Sequence, residues 1–116
     1  MGGEENRNTV SAECLGKAAK LTDLIDYSGG AVVSKTLVDK KVGTLTLFAF
    51  DAGQGLSEHQ TPYDAVVQII DGSAELTIGG QVVTASAGEL VIMPANIPHS
   101  VRAEEKFKMM LIMLRT

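Results

Sequence analysis

An all-β fold, a sandwich or barrel of short strands, follows from three features of the sequence. Apolar, β-branched-rich segments of four to eight residues recur through most of the chain. Turn dipeptides separate them, above all Asp71-Gly72 and Gly79-Gly80. Sustained helical periodicity is almost absent, and many short strands with regular turns make a two-sheet or closed β architecture.

Taken in order, residues 1–10 (MGGEENRNTV) are polar and without period, and read as a flexible N-terminal arm before a single domain over 11–116. Ser11 to Asp26 carries Leu15, Ala18, Ala19, Leu21, Leu24 and Ile25 at a spacing that fits a short helix or strand. Ser28-Gly29-Gly30 turns the chain. Ala31 to Val38 is the first predicted strand. Thr44 to Phe50 (TLTLFAF) is the second, apolar or β-forming on both faces and therefore covered on both sides. Ala65 to Ile70, Ser73 to Ile78 and Gln81 to Thr84 form a three-stranded meander, because Asp-Gly and Gly-Gly supply the positive φ that two-residue hairpins need. Leu90 to Met93 is a short strand stopped by Pro94. Phe107 to Leu114 (FKMMLIML) is an apolar strand whose charged flank, Lys106 and Lys108, suits an edge or interface position.

Composition narrows the functional classes. A chain of 116 residues is one domain, able to build a core without metal or disulfide staples. The net charge of −4, with Lys40-Lys41 too short a basic run, argues against a nucleic-acid partner. No apolar run is long enough for a membrane span, and the first residues lack the apolar stretch of a secretory signal. Cys14 is the sole cysteine, so no internal disulfide can form, and a reducing, cytoplasmic setting is expected. No His lies near it in sequence to activate its thiol.

The chain has two histidines, and both fall in patterned stretches. In GQGLSEHQTPYDAVVQIIDG, Gly53 is followed at fixed intervals by His59, Thr61, Ala65 and Gly72. In GELVIMPANIPHS, Gly88 is followed by Pro94, Asn96 and His99. The first stretch resembles the cupin motif G-x5-H-x-H-x3-E-x6-G, the second the cupin motif G-x5-P-x-G-x2-H. The fifteen residues Ser73 to Ala87 between them match the compact members of that superfamily. Asn96 replaces a glycine, a mild change, since Asn tolerates left-handed backbone. The resemblance implies a small single-domain cupin: a double-stranded β-helix, the cupin jelly-roll barrel, preceded by a short N-terminal helix or strand segment.

That resemblance also implies a metal site of three histidines and a glutamate, and here the sequence departs from it. His59 and His99 occupy two ligand positions, Thr61 replaces a histidine and Ala65 the glutamate. Alanine carries no donor and a hydroxyl is a poor ligand beside imidazole, so His59 and His99 form an incomplete set for a divalent Zn, Fe, Mn or Ni ion. Glu58, Asp64 and Gln68 have the wrong strand parity to replace the missing ligands unless a bulge shifts them. Tyr63 shares the parity of His59.

The expected pocket is the barrel interior, formed by His59, Thr61, Tyr63, Val67, Ile69, Met93 and His99, with His59, Tyr63 and Asp64 as the candidates for catalysis. Imidazole titrates near neutrality and can serve as acid or base without a metal. Asp64 and Glu58 are more ordinarily surface carboxylates. Pro94, Asn96 and Pro98 set backbone shape. Met93, Met109, Met110 and Met113 read as core filler; thioethers also select Cu(I), but parity sends Met109 and Met110 to opposite faces. Three functions remain open. One is a protein binding a small molecule, with or without a weakly held metal. The second is a metal-dependent dioxygenase, isomerase or decarboxylase using His59 and His99. The third is a metal-free acid–base epimerase or isomerase with His59 as base and Tyr63 as acid. A homodimer is expected through the apolar surface of Met109 to Leu114.

Overall fold

The computed structural model describes residues 8–115. It contains ten strands: β1 (Asn8–Val10), β2 (Val32–Lys40), β3 (Gly43–Phe50), β4 (Gly55–His59), β5 (Asp64–Asp71), β6 (Ser73–Ile78), β7 (Gln81–Ser86), β8 (Leu90–Met93), β9 (His99–Arg102) and β10 (Phe107–Leu114). They form a six-stranded sheet in the order β1-β2-β3-β10-β5-β8 and a four-stranded sheet in the order β4-β9-β6-β7. From β3 onward the chain alternates between the sheets in jelly-roll order, except at the β6–β7 hairpin, whose two strands share the smaller sheet. Among the described residues no helix is long and apolar enough to cross a membrane.

The N-terminal part departs from expectation. Asn8–Val10, expected within a loose arm, pairs antiparallel with β2, and the Ser11 amide continues the contact by donating to the Leu37 carbonyl at 2.7 Å. The open edge of β2 offers backbone partners that a polar tripeptide can use as well as an apolar one. Residues 1–7 of that arm lie outside the described residues. Ser11 to Asp26 forms neither an α-helix nor a strand but turns and a single 3-10 turn, Leu21–Asp23. Leu21, Leu24 and Ile25 serve packing instead, whereas Leu15, Ala18 and Ala19 are exposed. Ile25, with Leu21, Leu24, Cys14 and Tyr27, covers the outer face of the large sheet over Leu37, Leu47 and Ala49. Two lysines fasten the segment: Lys35 Nζ donates to the Leu24 carbonyl at 3.0 Å and Lys108 Nζ to the Thr22 carbonyl at 2.8 Å. Lys108 also stands over the Tyr27 ring, 4.8 Å from its centre, a cation–π contact strengthened by partial burial.

Because of this cover, β3 is buried on both faces, Leu47 and Ala49 outward and Phe50 inward. A second expectation needs correction. β10 is no edge: it lies between β3 and β5, and Lys108 is only 7% exposed. The charged flank anchors the N-terminal segment rather than guarding an edge.

The main core lies between the sheets, and β10 runs its length. At one end Phe107 pairs with Phe50 in register, their rings stacked at 4.6 Å and 10°. Ile69, Leu76 and Val67 pack with them, all fully buried. At the other end Met113 pairs with Ala65, which in turn pairs with Met93 on β8. The turn at Gly72 explains its residue: φ is +74°, and an added Cβ would lie 2.7 Å from the Lys106 carbonyl oxygen. Only glycine tolerates both demands.

Candidate functional site

The site stands at the methionine end of the interior. β9 begins at His99 and β4 ends at His59, and these two residues are register partners across the ladder that joins them. The pairing shifts by a bulge between Leu56 and His59. The shift matters because Leu56 and His59, three residues apart and of opposite parity, both line the same cavity.

Each imidazole is oriented by its own backbone. His59 Nδ1 lies 2.8 Å from the Ser57 carbonyl oxygen and His99 Nδ1 3.2 Å from the Ile97 carbonyl oxygen. A carbonyl only accepts, so in both rings Nδ1 carries the hydrogen and donates it. In the neutral pair both Nε2 atoms therefore hold lone pairs. Those two atoms face each other at 3.2 Å, the rings 4.4 Å apart and inclined at 69°. His59 is exposed at the mouth, whereas His99 is 4% exposed. Burial pushes the His99 imidazole below its ordinary range; the positive charge that His59 can carry adds to this, and the Ile97 carbonyl opposes it.

Behind the pair lies a small cavity of about 30 Å³. Leu56, Ala65, Val101 and Leu111 supply aliphatic wall, and Met93, Met109 and Met113 supply three thioethers. A volume of this size holds a water molecule or two, or one ion.

Of the residues expected to form the pocket, the structure brings His59, Met93 and His99 together. Thr61 and Tyr63 stand outside the cavity wall. The Thr61 hydroxyl donates to the Tyr63 carbonyl at 3.0 Å, and its own carbonyl receives the Asn96 amide at 2.7 Å. Val67 and Ile69 are fully buried in the core, further along β5. The Asp64 carboxylate accepts the Ala95 amide at 2.8 Å and so fastens the 94–98 loop. Glu58 is exposed and not part of the wall. Met109 and Met113 reach the cavity from the far end of the chain. Their alternation through Leu111 was the available signal, since all three share one face of β10.

In the second motif an asparagine stands where the resembled pattern has glycine. Asn96 has φ 63°, the left-handed conformation that asparagine adopts more readily than most residues.

A match to the cupin-domain family model spans residues 46–115. The chain is a cupin. A conserved protein of unknown function from Streptococcus pyogenes is 34% identical, with a TM-score of 0.83 over 94% of this chain and 92% of its own. A cupin 2 conserved barrel domain protein from Leptotrichia buccalis is 39% identical with a TM-score of 0.78; the match covers 80% of this cupin but 45% of that longer chain. A cupin superfamily protein from Desulfitobacterium hafniense is 25% identical, with a TM-score of 0.84 over 95% of this chain and 99% of its own. No match is found among curated proteins.

The donors of this cupin do not fit the divalent ion that the family motif implies. Two imidazole nitrogens converge, Thr61 is turned into its own loop, Ala65 has no donor, and the Asp64 carboxylate is held elsewhere. Among the described residues no group of three or more His, Cys, Asp or Glu is placed to hold a metal.

Proposed function

We propose that this cupin is a binding protein rather than an enzyme, its barrel holding a ligand of one or two heavy atoms between His59 and His99. The observation that carries this reading is the pair of facing Nε2 atoms at the mouth of a cavity of about 30 Å³. Two lone pairs 3.2 Å apart repel unless a proton, a metal ion or a hydrogen-bond donor is shared between them, which suits the pair to an occupant of that kind. The cavity has no room for a metabolite without moving its walls. A metal-dependent reaction would need a third strong ligand, and the acid–base alternative would need Tyr63 at the wall; neither is supported by the side-chain placements. The test follows the imidazole nitrogens by NMR while small anions and first-row metal ions, monovalent and divalent, are titrated. The expected result is a saturable shift at both Nε2 atoms with one of these probes and no turnover. Silence at both nitrogens with every probe would remove this reading.

We also propose a homodimer formed through the outer face of the large sheet. Register sets Leu45, Ile112, Val66 and Ile92 side by side across four strands, and Ile92 is 60% exposed. A second copy would cover this row isologously. Ile92→Lys should convert the dimer to a monomer in light scattering, and an unchanged mass would exclude this face.

A further inference from the structure

We infer that the ligand of this cavity is a soft monovalent metal ion, Cu(I), held by His59 Nε2 and His99 Nε2 with thioether sulfur from the methionine wall. The inference rests on the reading of the histidine pair as a binding site and adds the chemical class of its occupant.

The nitrogen geometry suits a shared metal. At metal–imidazole lengths of roughly 2.0–2.1 Å and a near-tetrahedral angle, two ligand nitrogens stand about 3.3 Å apart; His59 and His99 stand at 3.2 Å. Both Nε2 lone pairs are free for a ligand, because both Nδ1–H groups are committed to the carbonyls of Ser57 and Ile97. Such second contacts fix the tautomer that a metal ligand needs.

Charge and softness then choose among metals. No carboxylate or thiolate lines the cavity, so an ion bound there keeps its full charge in apolar surroundings. The cost of burying an ion scales with the square of its charge, about four times greater for a dication than for a monocation. What the wall does offer is Met93, Met109 and Met113, three of the five methionines of the chain. Thioether sulfur and imidazole favour Cu(I), whereas Mn, Fe and Ni sites draw on carboxylate or further imidazole. The same absence of anionic donors that spoils the site for a divalent ion therefore suits it to Cu(I). The fourth methionine of the strands, Met110, packs on the opposite face in the outer cluster and serves as an internal control.

The experiment titrates Cu(I) anaerobically into the full, untagged chain against a chromophoric Cu(I) chelator, with methyl-labelled methionine spectra and imidazole nitrogen spectra recorded in parallel. The expected result is one Cu(I) per chain, with both Nε2 resonances and the methyls of Met93, Met109 and Met113 shifted and Met110 unmoved. A tenfold excess of Zn(II) should not displace the ion, and Met109→Leu with Met113→Leu should weaken binding at least tenfold. Displacement by Zn(II), or binding with all four methyls unmoved, would overturn the inference while leaving the histidine pair as a ligand site. Silence of both imidazoles to Cu(I), Zn(II) and the anions would overturn both readings. Should the double variant not fold, the methyl spectrum of the unsubstituted chain decides alone.

Discussion

The two ends of the inter-sheet core are built from different materials. At one end Phe50 and Phe107 stack in parallel and leave no space; at the other, methionines and two histidines surround a cavity of about 30 Å³. Both ends belong to one continuous core, and β10 crosses from one to the other over the five residues between Phe107 and Met113. Aromatic rings have few rotamers and large buried area, so they fix the sheets relative to each other. Thioethers are flexible and polarisable, and they adapt to irregular space. The contrast teaches that the fold is anchored away from the site, which frees the mouth from structural duty.

The contrast can be broken most forcefully at the packed end. Phe107→Ala should destabilise the cupin by about 3–5 kcal/mol in urea unfolding, the usual cost of emptying a ring-sized space in a core. A loss under about 1 kcal/mol would mean that this end does not anchor the fold. At the open end, Ala65→Glu places a carboxyl group on the cavity wall beside the imidazoles. Burying it without a partner, in limited space, should cost about 2–5 kcal/mol. Part of that loss should return on adding Mn(II) or Zn(II), which gain a third ligand; calorimetry with and without metal reads both effects. At the rim, Asn96→Val should cost about 1–2 kcal/mol for its left-handed backbone, and Asn96→Gly close to nothing.

The smallest effect is the dependence on pH. Burial holds the His99 imidazole below its ordinary value of 6.5, so below that pH the unfolded chain takes up a proton that the folded chain refuses. The stability contributed by this residue is fully present above 6.5 and is lost progressively as the pH falls toward the depressed folded value. The melting temperature should therefore fall between pH 7 and pH 5, and His99→Phe should flatten that slope. An identical slope in the variant would assign the acid sensitivity to other groups.

Much of this architecture is legible in the sequence, and the unread parts share a cause. β8 and β10 have the bounds that the apolar runs Leu90 to Met93 and Phe107 to Leu114 predict, because alternating or continuous apolar character reports burial directly. β4 and β9 went unread as strands because GLSEH and HSVR are short and mixed in polarity, held by their neighbours more than by propensity. The histidine positions follow from motif spacing, but the rest of the wall does not. A bulge in β4 resets the parity of Leu56 against His59, and parity arguments fail across a bulge. Tyr63, of like parity to His59, belongs to the loop before β5, where strand alternation does not apply. Met113 enters through sheet pairing with Ala65, a contact across 48 positions that no local pattern contains.

The place of β10 also bears on how the protein is made. This strand fills the slot between β3 and β5, so while the chain emerges from the ribosome both neighbours wait with unpaired backbone edges. The large sheet can close only after residues 107–114 are released, and every earlier nascent length exposes adhesive strands to other chains. Closure of this kind is non-local, and non-local strand pairing is intrinsically slow and exposed to aggregation.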